Sequence, residues 1–503
     1  MPSSLSPPRP RVVRFSAPVS AVLLSLLLGG CGVLQLGPDY SAPVLNLPAR
    51  WQAWWSPAPE AAGRPLPDAA ALAGWWRQWP DPLLAELIEA ALAANLDLQQ
   101  AVARLRQARA ARNQSASALY PSLSASLGAT RSRNAGTLGA PVASHTLYDA
   151  GFDASWELDV FGGNRRALEA AEADLASREA LLGQSRVSLI AEVALNYVDL
   201  RQYQRRLEIG RDNLQSQDET LQLTAWRQQA GLARSSDVEQ ARSNREQTRA
   251  SLPDLQLAAQ AAANRLAVLL GQPPGSLQTR LQTYRPLPAL PAAFASGIPA
   301  DLLRQRPDLV AAERTLAAET ARIGQKQAQR FPALNLSAAL GWQAYSASLL
   351  GDAASRNHAL GGSLASSLFD AGRLKNAVAA QDAVAEQARL AYEQSVLTAL
   401  EEVENALYSH ALARERLDAR RAAAVAAGNA ALLSRQLYES GLTDFQRLLD
   451  SERSRLSNED SQAIAEATLV SSLIKLYKAL GGGWDNNASP TATPLAAAES
   501  TAP

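Results

Sequence analysis

The sequence is poor in the residues that build catalytic, metal and disulfide sites. Its 503 residues include one cysteine, three histidines and one methionine, which is the initiator. A single cysteine cannot form an internal disulfide, and no histidine stands in a metal-ligand spacing. Neither a phosphate-binding glycine loop nor a GxSxG nucleophile motif occurs. We therefore expect a protein that is not an enzyme and that needs no cofactor or metal.

An excess of charge of one sign is also missing, since Lys plus Arg and Asp plus Glu number 48 each. A balanced chain has no global basic surplus for nucleic acid, so we expect no nucleic-acid partner. Beyond the N-terminus, no run of about eighteen apolar residues occurs, as a transmembrane helix would require. Any membrane span would therefore have to be made by strands.

The N-terminus has the layout of a secretory signal. Three arginines precede the apolar stretch Ala17–Gly30, which is too short to span a membrane. The stretch ends in LLGGC and resembles the bacterial lipobox, in which the cysteine is acylated before cleavage. We expect Cys31 to become the lipidated first residue, and Gly32 favours outer-membrane sorting by resemblance. An ordinary signal peptide before an incidental cysteine is the alternative.

Short motifs recur about 210 residues apart, which indicates an internal duplication. LYPSLSAS returns as RFPALNLSA, VFGGNRR as LFDAGRLK, QAGL as ESGL, and AVLLGQ as KALGGG. Each copy reads as a helix, two strands, a very long helix, a turn and a return helix. The predicted organisation is a signal peptide (1–30), a lipid-anchored extended segment (31–80), a first repeat (81–270), a Pro-rich equatorial connector (271–300), a second repeat (301–484) and a disordered tail (485–503).

Proline and glycine delimit the predicted helices. One approach helix covers 81–118 and the other 299–329, each ending shortly before a proline. The long helices are predicted over Gly163–Ala230 and Gly372–Ser440, about 100 Å each at 1.5 Å per residue. Helices of this length are typical of a coiled coil or a helical barrel.

Each long helix is expected to stop at a glycine and to be followed almost at once by a return helix. Gly231 and Gly441 supply the glycine. The patterns Ser236–Glu239 and Thr443–Gln446 fit a capping box at the start of the return helices.

The segment His145–Phe161 alternates strictly between apolar and polar residues. Its polar side carries four carboxylates, Asp149, Asp153, Glu157 and Asp159. Three further segments alternate over about ten residues each, Pro121–Thr130, Leu334–Gln343 and Asn357–Leu368. This pattern is typical of outer-membrane barrel strands. A soluble sandwich with its apolar face in the core is the alternative.

Four strands cannot close a barrel, and open strand edges are not tolerated in lipid. We therefore predict an α+β membrane protein that forms a homotrimer with a twelve-stranded β-barrel, four strands per chain. The long helices would continue this cylinder as an α-helical coiled-coil barrel in the periplasm. The four carboxylates would then line the water-filled barrel lumen, where they keep their hydration.

The ordered motifs LLGGC, WELDVFGG, AGLARSSDVEQAR, LLDSER and LYKALGGGW carry a family likeness from Cys31 to Trp484. The chain resembles the outer-membrane factors of tripartite (RND-type) efflux systems, the TolC-like channels, and more closely their lipoprotein branch. The resemblance implies a lipid-anchored trimeric exit duct in the outer membrane, without catalysis. It conducts small molecules passively once a periplasmic adaptor (membrane fusion) protein and an inner-membrane transporter open it.

The resemblance also implies a periplasmic gate in the motif LLDSER, at Asp450 and Arg453. Three symmetric carboxylates in a narrow ring constrict a channel and select for cations. A nearby arginine can hold such a ring shut by bidentate pairing. On the residues alone, a solvated surface pair of little energetic value is the alternative.

Two further features concern the ends of the hairpins. The family can carry a second Asp three residues before the gate Asp, whereas this chain has Arg447 there and Asp237 at the corresponding site of the first repeat. We hypothesise that Asp237 and Arg447 approach each other between neighbouring hairpins. The turns Gly231–Leu232 and Gly441–Leu442 resemble the tips that contact the adaptor.

Two other functions stay open at this point. A type I protein-secretion duct would share the architecture, because substrate choice lies mainly with the inner-membrane partner. A periplasm-spanning structural lipoprotein with coiled-coil arms would explain the helices, and the four alternating strands argue against it.

Overall fold

The computed structural model describes residues 35–44, 72–133, 144–290 and 300–484. The predictions for the signal peptide, for Cys31 and for residues 485–503 lie outside these ranges. The chain divides into two compact units. The first, here called the sheet unit, contains 35–42, 108–133, 144–175 and 315–389; the second, the helical unit, contains 43–44, 72–107, 176–290, 300–314 and 390–484.

Within the described ranges, helices form most of the chain and four strands form one sheet. The helices are α1 (Pro82–Ala94), α2 (Leu96–Ser117), α3 (Gly163–Gln229), α4 (Ser235–Leu269), α5 (Gln278–Leu281), α6 (Pro307–Ala328), α7 (Arg373–Glu439) and α8 (Phe445–Ala479). Short 3-10 helices cover Trp75–Gln78, Ala300–Gln305, Ala347–Leu349 and Ala353–Ser355. The strands are β1 (Ser122–Arg133), β2 (Ser144–Leu158), β3 (Ala333–Ala344) and β4 (Arg356–Ala365).

The sheet is antiparallel throughout and has the order β1-β2-β3-β4. Phe152 in its middle lies opposite Ala125 on one side and Leu340 on the other. Facing residues of paired strands share a side of the sheet, so the register places most of the large apolar residues of the four strands on one face. β1 and β4 are the two outer strands.

The apolar face of the sheet is covered by nothing in the described chain. Most of its large side chains are exposed to solvent, with Leu127 80% and Leu360 87% exposed. The exposed members are Leu123, Leu127, Phe152, Leu336, Leu340, Leu360 and Leu364. A soluble sandwich buries such a face in its core, so that alternative is wrong for the sheet of this chain.

The predicted long helices are confirmed to within one residue at each end. α3 and α7 have 67 residues each, and α4 and α8 have 35 each. α3 and α7 stop because the next chain turn needs a left-handed residue, which Gly231 and Gly441 provide with φ of 78° and 75°. The strand prediction in 357–368 extended too far, since β4 ends at Ala365 and leaves Leu368 beyond the sheet.

Each predicted approach helix is broken once, which corrects the sequence expectation. In the first, Asn95 separates α1 from α2. Its side chain donates 2.9 Å to the carbonyl of Leu269 and accepts 2.9 Å from the amide of Leu98. In the second, Arg306 separates a 3-10 helix from α6 and donates 2.7 Å to the carbonyl of Ala479. Both breaks thus satisfy a carbonyl at the end of a return helix, which local sequence signals do not reveal.

The capping boxes predicted for the return helices are wrong by one or two residues. The N-cap residue of α4 is Arg234, whose amide donates 3.2 Å to the carboxylate of Asp237. The N-cap residue of α8 is Asp444, whose carboxylate accepts 2.9 Å from the amide of Arg447. In both helices an aspartate thus lies beside the free amides of the N-terminus.

The core of the helical unit lies where α1 and the C-terminal ends of α4 and α8 pack against the middle of α3 and α7. Trp75 is fully buried and stacks on Tyr477, with ring centroids 4.8 Å apart. Asp81 caps α1 through the amides of Leu83 and Leu84, and its second oxygen accepts 2.6 Å from Tyr197. Burial raises the pKa of Tyr197 to about 12, so the hydroxyl remains a donor to this carboxylate at neutral pH.

The helices of the described ranges include none with the length and hydropathy of a membrane span. The same ranges contain no group of three or more His, Cys, Asp or Glu side chains able to hold a metal ion.

Candidate functional site

The acidic face of β2 lies opposite the apolar face of the sheet. Asp149 extends over Gly128 of β1, where a Cβ would come within 2.7 Å of the carboxylate oxygens. Asp153 is exposed and accepts 3.3 Å from the hydroxyl of Ser126. Glu157 is exposed and faces Asn335 of β3. Three carboxylates therefore share one polar face, with small or amide-bearing neighbours that leave them open to water.

Asp159 does not belong to this face, which corrects the grouping predicted from the sequence. β2 ends at Leu158, opposite Leu334, and Asp159 lies beyond it. Its carboxylate accepts 2.9 Å from the amide and 3.2 Å from the Nε of Arg165. Asp159 thus binds a free amide in the first turn of α3, and the alternation of the sequence merely continued past the end of pairing.

The two hairpin tips have nearly identical backbones. The amide of Leu232 donates 2.8 Å to the carbonyl of Arg227, and the amide of Leu442 donates 2.8 Å to that of Leu437. These bonds close the last helical turn in the Schellman manner. The leucines that follow the glycines are 70% and 76% exposed, respectively, so each tip presents one large apolar side chain to solvent.

The C-terminal ends of α3 and α7 contact each other just before the tips. The guanidinium of Arg227 lies over the ring of Tyr438, 4.6 Å from the centroid, and donates to the Tyr438 carbonyl. Arg435 and Glu219 form an ion pair at 2.6 Å, and this pair lowers the pKa of Glu219. Sequence reasoning missed this contact, because its residues lie more than two hundred positions apart with no shared motif.

The predicted gate residues lie on α8, one turn apart and both exposed. Asp450 accepts 2.9 Å from the Nε2 of Gln446, and Arg453 donates 2.9 Å from Nε to the Oδ1 of Asn244 on α4. In the described part of the chain, no ion pair joins Asp450 to Arg453. The carboxylate and most of the guanidinium therefore stay available to groups outside the chain.

Glu452, between the two gate residues, is a buried carboxylate that the sequence reasoning missed. It is 6% exposed and accepts 2.7 Å from the hydroxyl of Thr220 on α3. Burial raises its pKa, against the opposing effect of the Thr220 hydrogen bond. The helical spacing of the sequence could have indicated the burial of Glu452, since position 452 continues the buried series of Phe445, Leu448 and Leu449.

Thr220 belongs to a stripe of buried polar residues on α3. The buried stripe consists of Asn213, Gln217, Thr220 and Thr224. Asn213 donates 3.1 Å to Glu459 and accepts 3.2 Å from Arg455. Farther along α3, Arg206 holds Asp460 with two bonds of 2.6 and 3.1 Å. This stretch of the contact between the two hairpins is therefore polar, whereas Ala241 of α4 packs with Phe445 and Leu448 of α8 in an apolar cluster nearer the tips.

The hypothesised pair of Asp237 and Arg447 is not formed within one chain. The carboxylate of Asp237 binds the amide of Arg234 and, at 3.3 Å, the hydroxyl of Ser236. Among the residues that the structure describes, no ion pair reaches Arg447, whose side chain is exposed. Contact between copies of the chain is the remaining form of this hypothesis.

Within the described residues, the sheet has an exposed apolar face and two edges without a strand partner, and the helices of the two hairpins have 67 and 35 residues each. This combination is typical of outer-membrane channel subunits. The family model for the outer membrane efflux protein matches residues 87–272 and 298–482. This chain belongs to the outer membrane efflux protein family.

Individual relatives and a solved structure support the same family assignment. Nodulation protein T of Rhizobium leguminosarum bv. viciae is 32% identical over 466 residues, 93% of each chain. The toluene efflux pump outer membrane protein TtgF of Pseudomonas putida is 32% identical over 480 residues, covering 94% of this chain and 98% of its own. The solved outer-membrane channel OprN is similar with a TM-score of 0.82 and 39% identity, over 90% of this chain and 99% of that one.

The function follows from these comparisons. The chain is the outer-membrane component of an efflux pump and serves as its exit duct. The expectation of an efflux factor is thereby confirmed, and the alternative of a purely structural lipoprotein is not supported.

Proposed function

We propose that three copies of this chain close a twelve-stranded barrel in the outer membrane. The observation that carries the proposal is the four-stranded sheet, with exposed leucines on one face and carboxylates on the other. Among the described residues, its outer strands β1 and β4 each have one edge of backbone groups without a strand partner. In lipid such groups must be paired, and copies of the same chain supply the pairing strands by rotation.

In this barrel the apolar face contacts lipid and the acidic face lines the lumen. Asp149, Asp153 and Glu157 would repeat three times around a water-filled passage. Carboxylates on a lumen wall keep their hydration, whereas on the lipid face each would be costly. The equal lengths of α3 and α7, and of α4 and α8, support two structural repeats that extend the barrel as a helical coiled coil.

Cys31 would anchor each chain to the membrane as a lipoprotein. The supporting observations are in the sequence: the LLGGC motif, the basic and apolar signal before it, and the absence of any other cysteine. One lipidated residue anchors a chain without spanning the bilayer. The chain would thus be held by its lipid as well as by its strands.

The proposed periplasmic gate is a ring of three Asp450 carboxylates with Arg453 close by. Support comes from the exposure of both side chains and from the bond of Arg453 to Asn244, which fixes one edge of its guanidinium. The other edge remains free for a carboxylate of the next chain, where a bidentate pair would lock the ring. Opening then requires these pairs to separate, which a periplasmic adaptor and an inner-membrane transporter would drive.

The two tips, Gly231–Leu232 and Gly441–Leu442, are the proposed contacts of the adaptor. Each displays one exposed leucine on a rigid turn, a small apolar anchor of the kind that interface hot spots use. Because both tips share the same backbone bonds, one adaptor surface could meet either of them.

Single-channel conductance tests the gate. Asp450→Ala should raise the open fraction of an otherwise mostly closed channel by at least about tenfold, because it removes the carboxylate of each locking pair. The matched control is Gln240→Ala, since Gln240 occupies the corresponding position of the first hairpin and is exposed. Equal currents from Asp450→Ala, Gln240→Ala and the unmodified protein would place the constriction elsewhere.

The pair of Asp237 and Arg447 is proposed between neighbouring chains at the hairpin ends. Asp237→Arg and Arg447→Asp should each increase the leak conductance, and the double swap should restore closure. If the double swap leaks as much as the two single variants combined, the two residues do not pair.

A further inference from the structure

Arg166, in the first turn of α3, is a buried cation whose bonds go mostly to the N-terminal segment. Its side chain is 2% exposed. Nε donates 3.0 Å to the carbonyl of Leu36, and Nη2 donates 3.2 Å to that of Gly37 and 2.7 Å to the carboxylate of Asp39. Nη1 pairs with Glu169 at 2.8 Å. A buried guanidinium is stable only with its donors satisfied, and here the N-terminal segment satisfies three of them.

The surroundings of Arg166 are shaped to admit a peptide. The amide of Leu36 donates 3.3 Å to the carbonyl of Phe161, in the short connection between β2 and α3. A Cβ on Gly162 would come within 3.0 Å of the Gln35 backbone. A Cβ on Gly324 of α6 would come within 2.6 Å of the Leu36 carbonyl. Two glycines thus leave the space that the segment fills, and we call this arrangement the Arg166 slot.

The second long helix has no such slot. Gly162 and Gly372 both have positive φ and directly precede the long helices, so the position equivalent to Arg166 is Asn376. Asn376 is exposed. The slot therefore serves a partner that only the first copy meets, which is the chain's own N-terminal segment.

We propose that the Arg166 slot holds the membrane anchor at a fixed place, beside the junction of β2 and α3. This inference rests on the proposed lipidation of Cys31. Gln35 follows Cys31 by four positions, and a fully extended chain of that length reaches at most about 14 Å. The acyl group is thus confined to the end of the sheet where β2 leads into α3. The anchor would therefore fix the position of the barrel relative to the lipid surface.

Hydrogen exchange of the amide of Leu36 tests the slot in the full-length protein in detergent. Arg166→Met should speed this exchange at least about tenfold, because the segment loses its charge-assisted bonds. The matched control is Arg165→Met: Arg165 is the neighbouring residue, binds Asp159 and makes no bond to the segment. Unchanged exchange in Arg166→Met, or equal acceleration in both variants, overturns the slot.

A second variant tests the slot even if Arg166→Met does not fold. Gly324→Ala should release the segment by steric contact, while alanine favours the helical conformation of α6. Gly428→Ala is its control, since a Cβ on this glycine within α7 meets nothing within 4 Å. Faster exchange at Leu36 in Gly324→Ala alone supports the slot, and no change in Gly324→Ala contradicts it.

A photo-cross-linkable fatty acid, incorporated during growth, tests the position of the anchor. In the unmodified protein the cross-links should cluster on peptides at the β2–α3 junction, and Arg166→Met should scatter them. Scattered cross-links in the unmodified protein overturn the proposed positioning. The mass of the mature N-terminus reports lipidation separately, so an unacylated Cys31 would refute the anchor while the exchange experiment still decides the slot.

Discussion

The hairpin of α3 and α4 and the hairpin of α7 and α8 have helices of the same lengths and tips with the same hydrogen bonds. Their chemistry differs. α3 buries the polar stripe from Asn213 to Thr224, whereas the corresponding positions of α7 carry three alanines and a serine. The return helix α8 carries Asp450, Glu452 and Arg453, where α4 has Gln240, Arg242 and Ser243.

This difference assigns the hairpins different roles. The first hairpin supplies hydroxyl and amide groups, from Thr220, Asn213 and Asn244, that hold charged groups of the second. Polar groups along a helix contact fix its register at a cost in stability.

The largest expected effect concerns the apolar cluster at the end of the second hairpin. Leu448 is 0% exposed and packs with Phe445 and Tyr438. Leu448→Ala should lower the free energy of unfolding of this region by about 2–5 kcal/mol. The equivalent residue of the first hairpin, Val238, is half-buried, so Val238→Ala should cost less. Thermal unfolding and tryptic cleavage near the tips measure both, and equal losses would contradict the asymmetry.

A half-buried histidine distinguishes the middle of the long helices. α7 has His410 where α3 has the buried Leu200, and the Nδ1 of His410 lies 3.0 Å from the hydroxyl of Ser472. Burial, with a smaller contribution from Arg414, lowers the pKa of His410 from 6.5 to about 4. Between these values the unfolded chain binds more protons, so stability is complete above about pH 6.5 and is lost as the pH falls.

The loss should reach roughly 2–4 kcal/mol near pH 4, at about 1.4 kcal/mol per pKa unit. His410→Leu, which copies the first hairpin, should remove this part of the pH dependence of the unfolding temperature. An unchanged slope between pH 6.5 and pH 4 in His410→Leu would show that the histidine is not the group responsible.

A smaller effect is expected at the polar contact of Thr220 and Glu452. Thr220→Val leaves a buried carboxylate without its donor and should cost about 1–3 kcal/mol. Glu452→Gln keeps an acceptor for Thr220. Since burial raises the pKa of Glu452, the unmodified protein loses stability as the pH rises above the ordinary pKa of a glutamate, and Glu452→Gln should not. Parallel pH profiles of the unmodified protein and Glu452→Gln would refute the burial of this charge.

Much of the fold could be predicted because its signals are local and repeated. Ala-rich helices bounded by Gly231 and Gly441 indicated the long hairpins, and period-two alternation indicated the strands. The breaks at Asn95 and Arg306 escaped prediction because each residue bonds to a carbonyl more than 170 positions away. No glycine or proline stands beside the first break, at Asn95. Pro307 follows the second break, at Arg306, but a proline is also compatible with the first turn of a helix.

The candidate site shows the same division. The acidic face of β2 was readable from alternation, although Asp159 was assigned to it because the pattern ran past the last paired residue. Arg166 stood in the repeated motif VFGGNRR without a role, since its partners Leu36 and Gly37 lie far upstream. Residues whose partners come from another part of the chain, or from another copy of it, are those that one sequence does not identify.

The native mass of the protein extracted from the outer membrane in detergent tests the central claim most directly. We expect three chains in one particle and no extraction without detergent, because the outer edges of β1 and β4 must be paired in lipid. A monomer in detergent, or release into buffer alone, would contradict the shared barrel.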